Sequence, residues 1–83
     1  IVGGKPILSY TISLKTVESE IANSLTKVQD QNKDVEIGGY PFFHAGKLGV
    51  SIVLRSENKS QIDACNLQIL EFVNKKKIEV VDR

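Results

Sequence analysis

Chemistry in this chain of 83 residues would have to come from few side chains: one histidine, set in a cluster of glycines and aromatics, and one cysteine. A catalytic histidine needs a partner to orient it and a nucleophile in reach. His44 has neither nearby in the sequence, because Ser51 and Ser56 fall within or at the end of a strand pattern; a solvent-exposed turn histidine is the expectation. Cys65 falls on the apolar stripe of a helical segment, which predicts a buried, inert thiol rather than a nucleophile. One His, one Cys and scattered acids lack the clustered ligand spacing of a zinc site. No residue is assigned a catalytic or metal-binding role.

The cluster itself runs from Gly38 to Gly49, GGYPFFHAGKLG. Phe42 and Phe43 are adjacent, and neighbours in an extended segment point in opposite directions. One ring is therefore expected to enter the core or line its edge, and the other to stay exposed, where an aromatic beside glycines makes a contact point for a domain or a flat ligand. Gly38, Gly39, Tyr40, Pro41, Phe42, Phe43, His44 and Lys47 form the candidate rim for a ligand or partner, with Gly46 beside them. Gly46-Lys47-Leu48-Gly49 has the GxxG form with which KH domains clamp a nucleic-acid backbone. In KH domains that loop joins two helices, whereas here it leads into a strand, so a hairpin arm is the expectation.

The elements that must position this cluster follow from periodicity. Over Ile7–Leu14, Leu8, Tyr10, Ile12 and Leu14 alternate with Ser9, Thr11 and Ser13, the signature of a half-buried strand preceded by Pro6. Val17, Ile21, Leu25 and Val28 step as one stripe of an amphipathic helix. Thr16 is its expected N-cap, with Glu18 and Glu20 at the positive end of the dipole. QDQNKD is a polar stop, and Val35 and Ile37 open a short strand expected to end at Gly38-Gly39. Leu48, Val50, Ile52 and Leu54 form the next strand, whose Val53 on the outer face suits a central position. Asn58 followed by Gln61 resembles a capping box. Ile62, Cys65, Ile69, Phe72 and Val73, widened by Leu70, make a second helical stripe that NKKK closes with positive charge. IEVV is the last strand.

Strand, helix, strand, strand, helix, strand is the order of a ferredoxin-like β-α-β-β-α-β sandwich. The expected α+β fold is a four-stranded sheet with two helices on one face, reached by right-handed crossovers. RNA-binding RRM domains share this order but stack bases on aromatics of their central strands. KLGVSIVL has none, and the alternation sends Tyr10 to the core side. A net charge of +1 supplies no field for nucleic acid or an anionic membrane. Neither partner is expected, with a nucleotide- or RNA-binding module built on the Gly38–Gly49 loop as the alternative reading, and no apolar run reaches membrane length.

The length suits one domain with a modest core. The chain contains no Met, which points to an excised piece of a longer protein. Its opening IVGG matches mature trypsin-like proteases, but one His in 83 residues cannot supply their triad or double barrel. A single cysteine forms no internal disulfide, so a reducing, cytoplasmic setting is expected.

VEIGGYP (Val35–Pro41), followed after a short gap by GVSIVLRSENKSQIDA (Gly49–Ala64), resembles the end of the CinA (competence-damage-inducible) amino-terminal family. These are MoaB/Mog-like, molybdopterin-binding-type domains related to nucleotide pyrophosphatases and to the amino-terminal half of FAD synthases. The family pattern V-x-I-G-S-Y-P is matched by Val35, Ile37, Gly38, Tyr40 and Pro41. The following V-x-I-x-L-R strand is matched by Val50, Ile52, Leu54 and Arg55. VESEIANSL is similar to the family's first helix, and Gly39 stands where the family carries Ser. The resemblance implies a small accessory module lying beside an upstream Mog-like domain, or helping it to oligomerise. It also implies a parent that acts on a nucleotide with a divalent metal, as a nucleotide pyrophosphatase or FAD-synthase-like enzyme. The family's phosphate loop and acidic residues belong to that upstream domain. None of those motifs occurs here, so this piece is expected to hold no cofactor of its own.

Overall fold

The computed structural model describes residues 6–44 and 46–81, the side chain of His44 excepted. Six elements follow one another: β1 (Leu8–Lys15), α1 (Glu18–Gln31), β2 (Glu36–His44), β3 (Lys47–Ser56), α2 (Lys59–Lys75) and β4 (Glu79–Val81). The strands form one antiparallel sheet in the order β2-β3-β1-β4. This is the ferredoxin-like arrangement. β3, with Val53 half-buried on its outer side, is central, as its composition predicts.

Strand alternation builds the core. Leu8, Tyr10, Ile12 and Leu14 lie opposite Ser56, Leu54, Ile52 and Val50, which places these pairs on the helix-covered face. Leu14, Val50, Ile52 and Leu54 are fully buried there with Ile21 of α1 and Ile62, Cys65 and Ile69 of α2. Ser9, Thr11 and Ser13 turn to the open face. There Ser13 and Ser51, opposite each other at its centre, are buried with their hydroxyls 3.2 Å apart.

The ends of the helices depart from the sequence reading. α1 is capped by Val17 in extended conformation, not by Thr16, and receives no side-chain cap bond. Val17 therefore sits outside the helix and leaves the buried stripe, which is carried by Ile21 and Val28 with Leu25 at its margin. Polar side chains hold the other end of α1. The Gln29 amide donates to the carbonyls of Asn32 and Val35, and its oxygen accepts from the Ile37 N–H. The Asn32 amide donates to Val28 O and to Gln68 Oε1 on α2. The capping box of α2 is half made: Asn58 Oδ1 accepts from the Gln61 N–H. Its reciprocal half fails because the Ser56 hydroxyl already takes the Asn58 N–H, leaving Gln61 Oε1 buried with no hydrogen-bond partner among the described residues. Lys77, at φ +57°, turns the chain out of α2 in the left-handed region that favours glycine.

Tyr10 reaches from β1 to α2, where its hydroxyl donates to Asp63 Oδ1 at 2.6 Å. Lys59 meets the other carboxylate oxygen at 3.1 Å, one turn away. The Tyr10 hydrogen bond, then the Lys59 one, holds the Asp63 carboxyl below the ordinary carboxylate range. A depressed acid contributes stability above its unfolded pKa of about 4 and loses it as pH falls through the lower folded value. Tyr10→Phe is expected to raise the Asp63 pKa toward the ordinary value in a carboxyl-carbon NMR titration. An unchanged pKa would remove Tyr10 as its cause.

Candidate functional site

The glycine-aromatic cluster is strand, not loop. β2 does not end at Gly38-Gly39 but runs on through Tyr40-Pro41-Phe42-Phe43 to His44, paired with β3 throughout: Gly38 with Val53, Tyr40 with Ser51, Phe42 with Gly49, Phe43 with Leu48, His44 with Lys47. Three features let a segment so rich in breakers stay extended. β2 is an edge strand, which can accommodate Pro41. The Phe42 ring occupies the space that a side chain on Gly49 would fill, and the Tyr40 ring lies over Gly38. Aromatics thus cover the backbone that the glycines leave bare. The turn between His44 and Lys47 contains Gly46 at φ +79°, a conformation that L side chains rarely adopt.

Alternation splits the candidate rim between two faces. Glu36, Gly38, Tyr40 and Phe42 belong to the open face of the sheet; Ile37, Gly39, Pro41 and Phe43 belong to the helix side. Of the two phenylalanines, Phe42 is the half-buried one, yet it does not enter the helix-side core: it lies across the open face on Gly49. Phe43 is 69% exposed although it points to the helix side. The pairing of β1 with β3 stops at Leu14–Val50, so the last three pairs of the hairpin overhang the four-stranded part of the sheet. Leu48, read from the alternation as a buried strand residue, shares this position opposite Phe43 and is 58% exposed. Tyr40, 56% exposed, and Lys47 are also open to solvent. The structure therefore gives the rim two surfaces: Tyr40 and Phe42 on one, Phe43 and Leu48 on the other. The side chain of His44 lies outside the described residues, so its expected exposure is not assigned.

The remaining reactive candidates sit elsewhere. Cys65 is fully buried in the core, and burial pushes its thiol pKa up, which disfavours the nucleophilic thiolate. Among the described residues no group of three His, Cys, Asp or Glu side chains is placed to hold a metal. No described helix is long and apolar enough to cross a membrane. Two features escaped the sequence reading. Leu48 as a surface residue depends on where the helices stop, and the Tyr10–Asp63 bridge joins residues 53 apart in the chain.

Adding a methyl group tests the role of Phe42 as a lid. A Cβ on Gly49 would lie 2.7 Å from the Leu14 carbonyl oxygen and within the Phe42 ring. Gly49→Ala is expected to destabilise by about 1–3 kcal/mol, as overpacking does, in urea unfolding. Gly38→Ala should cost less, because the Tyr40 ring it meets, 2.9 Å away, is free to swing outward. Equal and negligible losses at both glycines would show that Phe42 does not close that site.

With this geometry in place, the chain can be set beside known proteins. No curated protein and no solved structure matches it. The family described as "FAD synthase, middle domain" matches residues 6–82, which takes in every element from β1 to β4. The chain belongs to the FAD synthase middle-domain family.

Proposed function

We propose that this domain is a non-catalytic accessory module of an FAD-synthase-type, CinA-related cytoplasmic protein, and that it makes contact through the overhanging β2–β3 hairpin. The observation that carries the reading is the pair of large apolar side chains, Phe43 and Leu48, facing each other across the hairpin and both exposed. Exposed apolar residues that adjoin on a projecting element mark an interaction surface. The chemistry on either side supports this: the one cysteine is buried, and the glycines serve a sheet rather than a phosphate cradle. On this reading the partner is the Mog-like domain of the parent protein. Any divalent metal and nucleotide chemistry belongs to that domain. Nucleic acid is not a partner.

A second reading has one observation in its favour. Tyr40 displays its ring on the open sheet face, where stacking modules hold bases. On that reading Gly38–Gly49 binds a nucleotide or single-stranded RNA.

One experiment separates the two. The chain is held with FAD, with ADP-ribose or with a short mixed single-stranded RNA, in the presence of Mg²⁺. Its amide spectrum and the integrity of each compound are followed together. The accessory reading predicts an unmoved spectrum and intact compounds. Shifts confined to residues 38–49 would replace it with the second reading. Turnover that persists through purification would overturn both.

A further inference from the structure

β2 ends the sheet, with β3 between it and the other two strands. Backbone groups of successive strand residues point alternately to one neighbour and to the other. The Ile37 N–H is taken by a side chain of α1 rather than by β3, which fixes the alternation along the unbroken register. Gly38, Tyr40 and Phe42 turn their N–H and C=O groups toward β3. Ile37, Gly39, Pro41 and Phe43 turn theirs outward. None of these four outward residues carries a charge. An uncharged row of outward backbone groups is the template on which a strand of a second molecule pairs.

The end of α1 occupies the start of this row. The Val35 N–H donates to Asn32 O at 3.0 Å. Gln29 Nε2 donates to Val35 O at 2.7 Å, and Gln29 Oε1 accepts from the Ile37 N–H at 3.1 Å. One amide thus serves the carbonyl of one residue and the N–H two residues on. A residue of a parallel neighbouring strand makes the same pair of bonds, and would make them here opposite Glu36. A further bond, from Gln29 Nε2 to Asn32 O at 3.1 Å, pins the amide in place. The contact is not sealed inside the domain: Gln29 and Ile37 line an open groove of about 240 Å³ with Leu25, Thr26 and Asp30. Farther along the same edge, Pro41 has no N–H to offer.

We infer that Gln29 is a plug built into the fold: its amide stands where the next strand would, and keeps the β2 edge from pairing with the β2 edge of a second copy. The pairing it prevents is antiparallel, about a two-fold axis at Gly39. Gly39 then meets Gly39 of the second copy, and Ile37 meets Pro41 of the second copy on either side. On the open face Tyr40 lies opposite Gly38 of the second copy, so no like charges oppose each other and side chains raise no barrier. The barrier lies in the backbone. Each Ile37–Pro41 pair could make two bonds; proline removes one, and the other needs the Ile37 N–H that Gln29 holds. Only the Gly39 pair is left to bond. A strand edge interrupted in this way gains too little to associate. The plug acts on the edge of β2 and not on the Phe43–Leu48 face, so it stands or falls independently of the accessory reading.

Amide exchange and sedimentation equilibrium of the whole chain test the proposal together. In the wild type, Ile37 should exchange about tenfold or more slowly than Gly39, since both face outward and Ile37 alone is held by a side chain. Gln29→Ala deletes the amide without adding apolar surface, and in dilute solution it should bring the Ile37 rate up to that of Gly39. Between micromolar and about 0.5 mM it should associate more strongly than the wild type, and the Gly39 amide should slow about tenfold as copies pair there. Gln29→Leu, which keeps the bulk of the side chain, should behave alike and separates the plug from a packing defect. Gln68→Leu cuts the 2.8 Å bond that ties Asn32 to α2 but leaves the plug, and should associate no more than the wild type. A wild-type Ile37 that exchanges as fast as Gly39 overturns the proposal without recourse to any variant. Gln29 variants that associate no more than the wild type, or that associate with Gly39 still unprotected, overturn it too. Association of Gln68→Leu equal to that of Gln29→Ala would assign the effect to a loosened helix end instead.

Discussion

The Phe42 ring over Gly49 is the contact on which the shape of this domain turns. Tyr40, Phe42 and Phe43 favour a strand, but Gly38, Gly39 and Pro41 among them work against one. They hold one here because β3 offers a complete partner register, and because the aromatic side chains on the open face close over the bare backbone at Gly38 and Gly49. With the strand continued, the hairpin passes the last β1 pair and carries Phe43 and Leu48 beyond it. If β2 stopped at the glycines, the same residues would form a loop and no overhang would exist.

The opposite side of the sheet obeys the ordinary rule of alternation. One face of β1 and β3 meets two helices, so every second residue from Tyr10 to Leu14 and from Val50 to Leu54 joins the helix-side face. The other face is held by Ser13 and Ser51 at its centre and by aromatic cover at its β2 margin. Polar side chains do the joining between layers. Gln29 and Asn32 tie the end of α1 to the start of β2 and to α2, and Tyr10 ties β1 to α2 through Asp63.

Much of this was legible in the sequence, for reasons that can be named. The period of two in LSYTISL and the 3.6-residue stripes of both helices report burial directly, and burial of one face per element leaves few architectures. Asn58 as a cap was readable because the bond it makes is local. What could not be read depends on positions far apart in the chain. Glycine and proline announce a break unless a neighbouring strand and a covering ring are known to be present, so the end of β2 was placed too early. Val17 stands at the cap in place of Thr16, and with no side-chain bond there the local pattern had nothing to mark it. Leu48 and Leu70 have the apolar character of core residues; that they face solvent follows from where the helices end and how α2 is rotated, which no local pattern records. The candidate rim over Gly38–Lys47 was drawn from composition, whereas the division of its residues between two faces required the register.

The most direct test of the account is hydrogen–deuterium exchange read amide by amide along β2. A continuous, ring-covered edge strand predicts that alternate amides from Gly38 to His44 are protected, beyond Gly39 as well as before it, since past Ile37, whose N–H is held by Gln29 Oε1, protection comes from the bonds to β3. Rapid exchange at every amide from Gly38 onward would mean that the strand ends at the glycines. The overhanging Phe43–Leu48 pair would then be a loop.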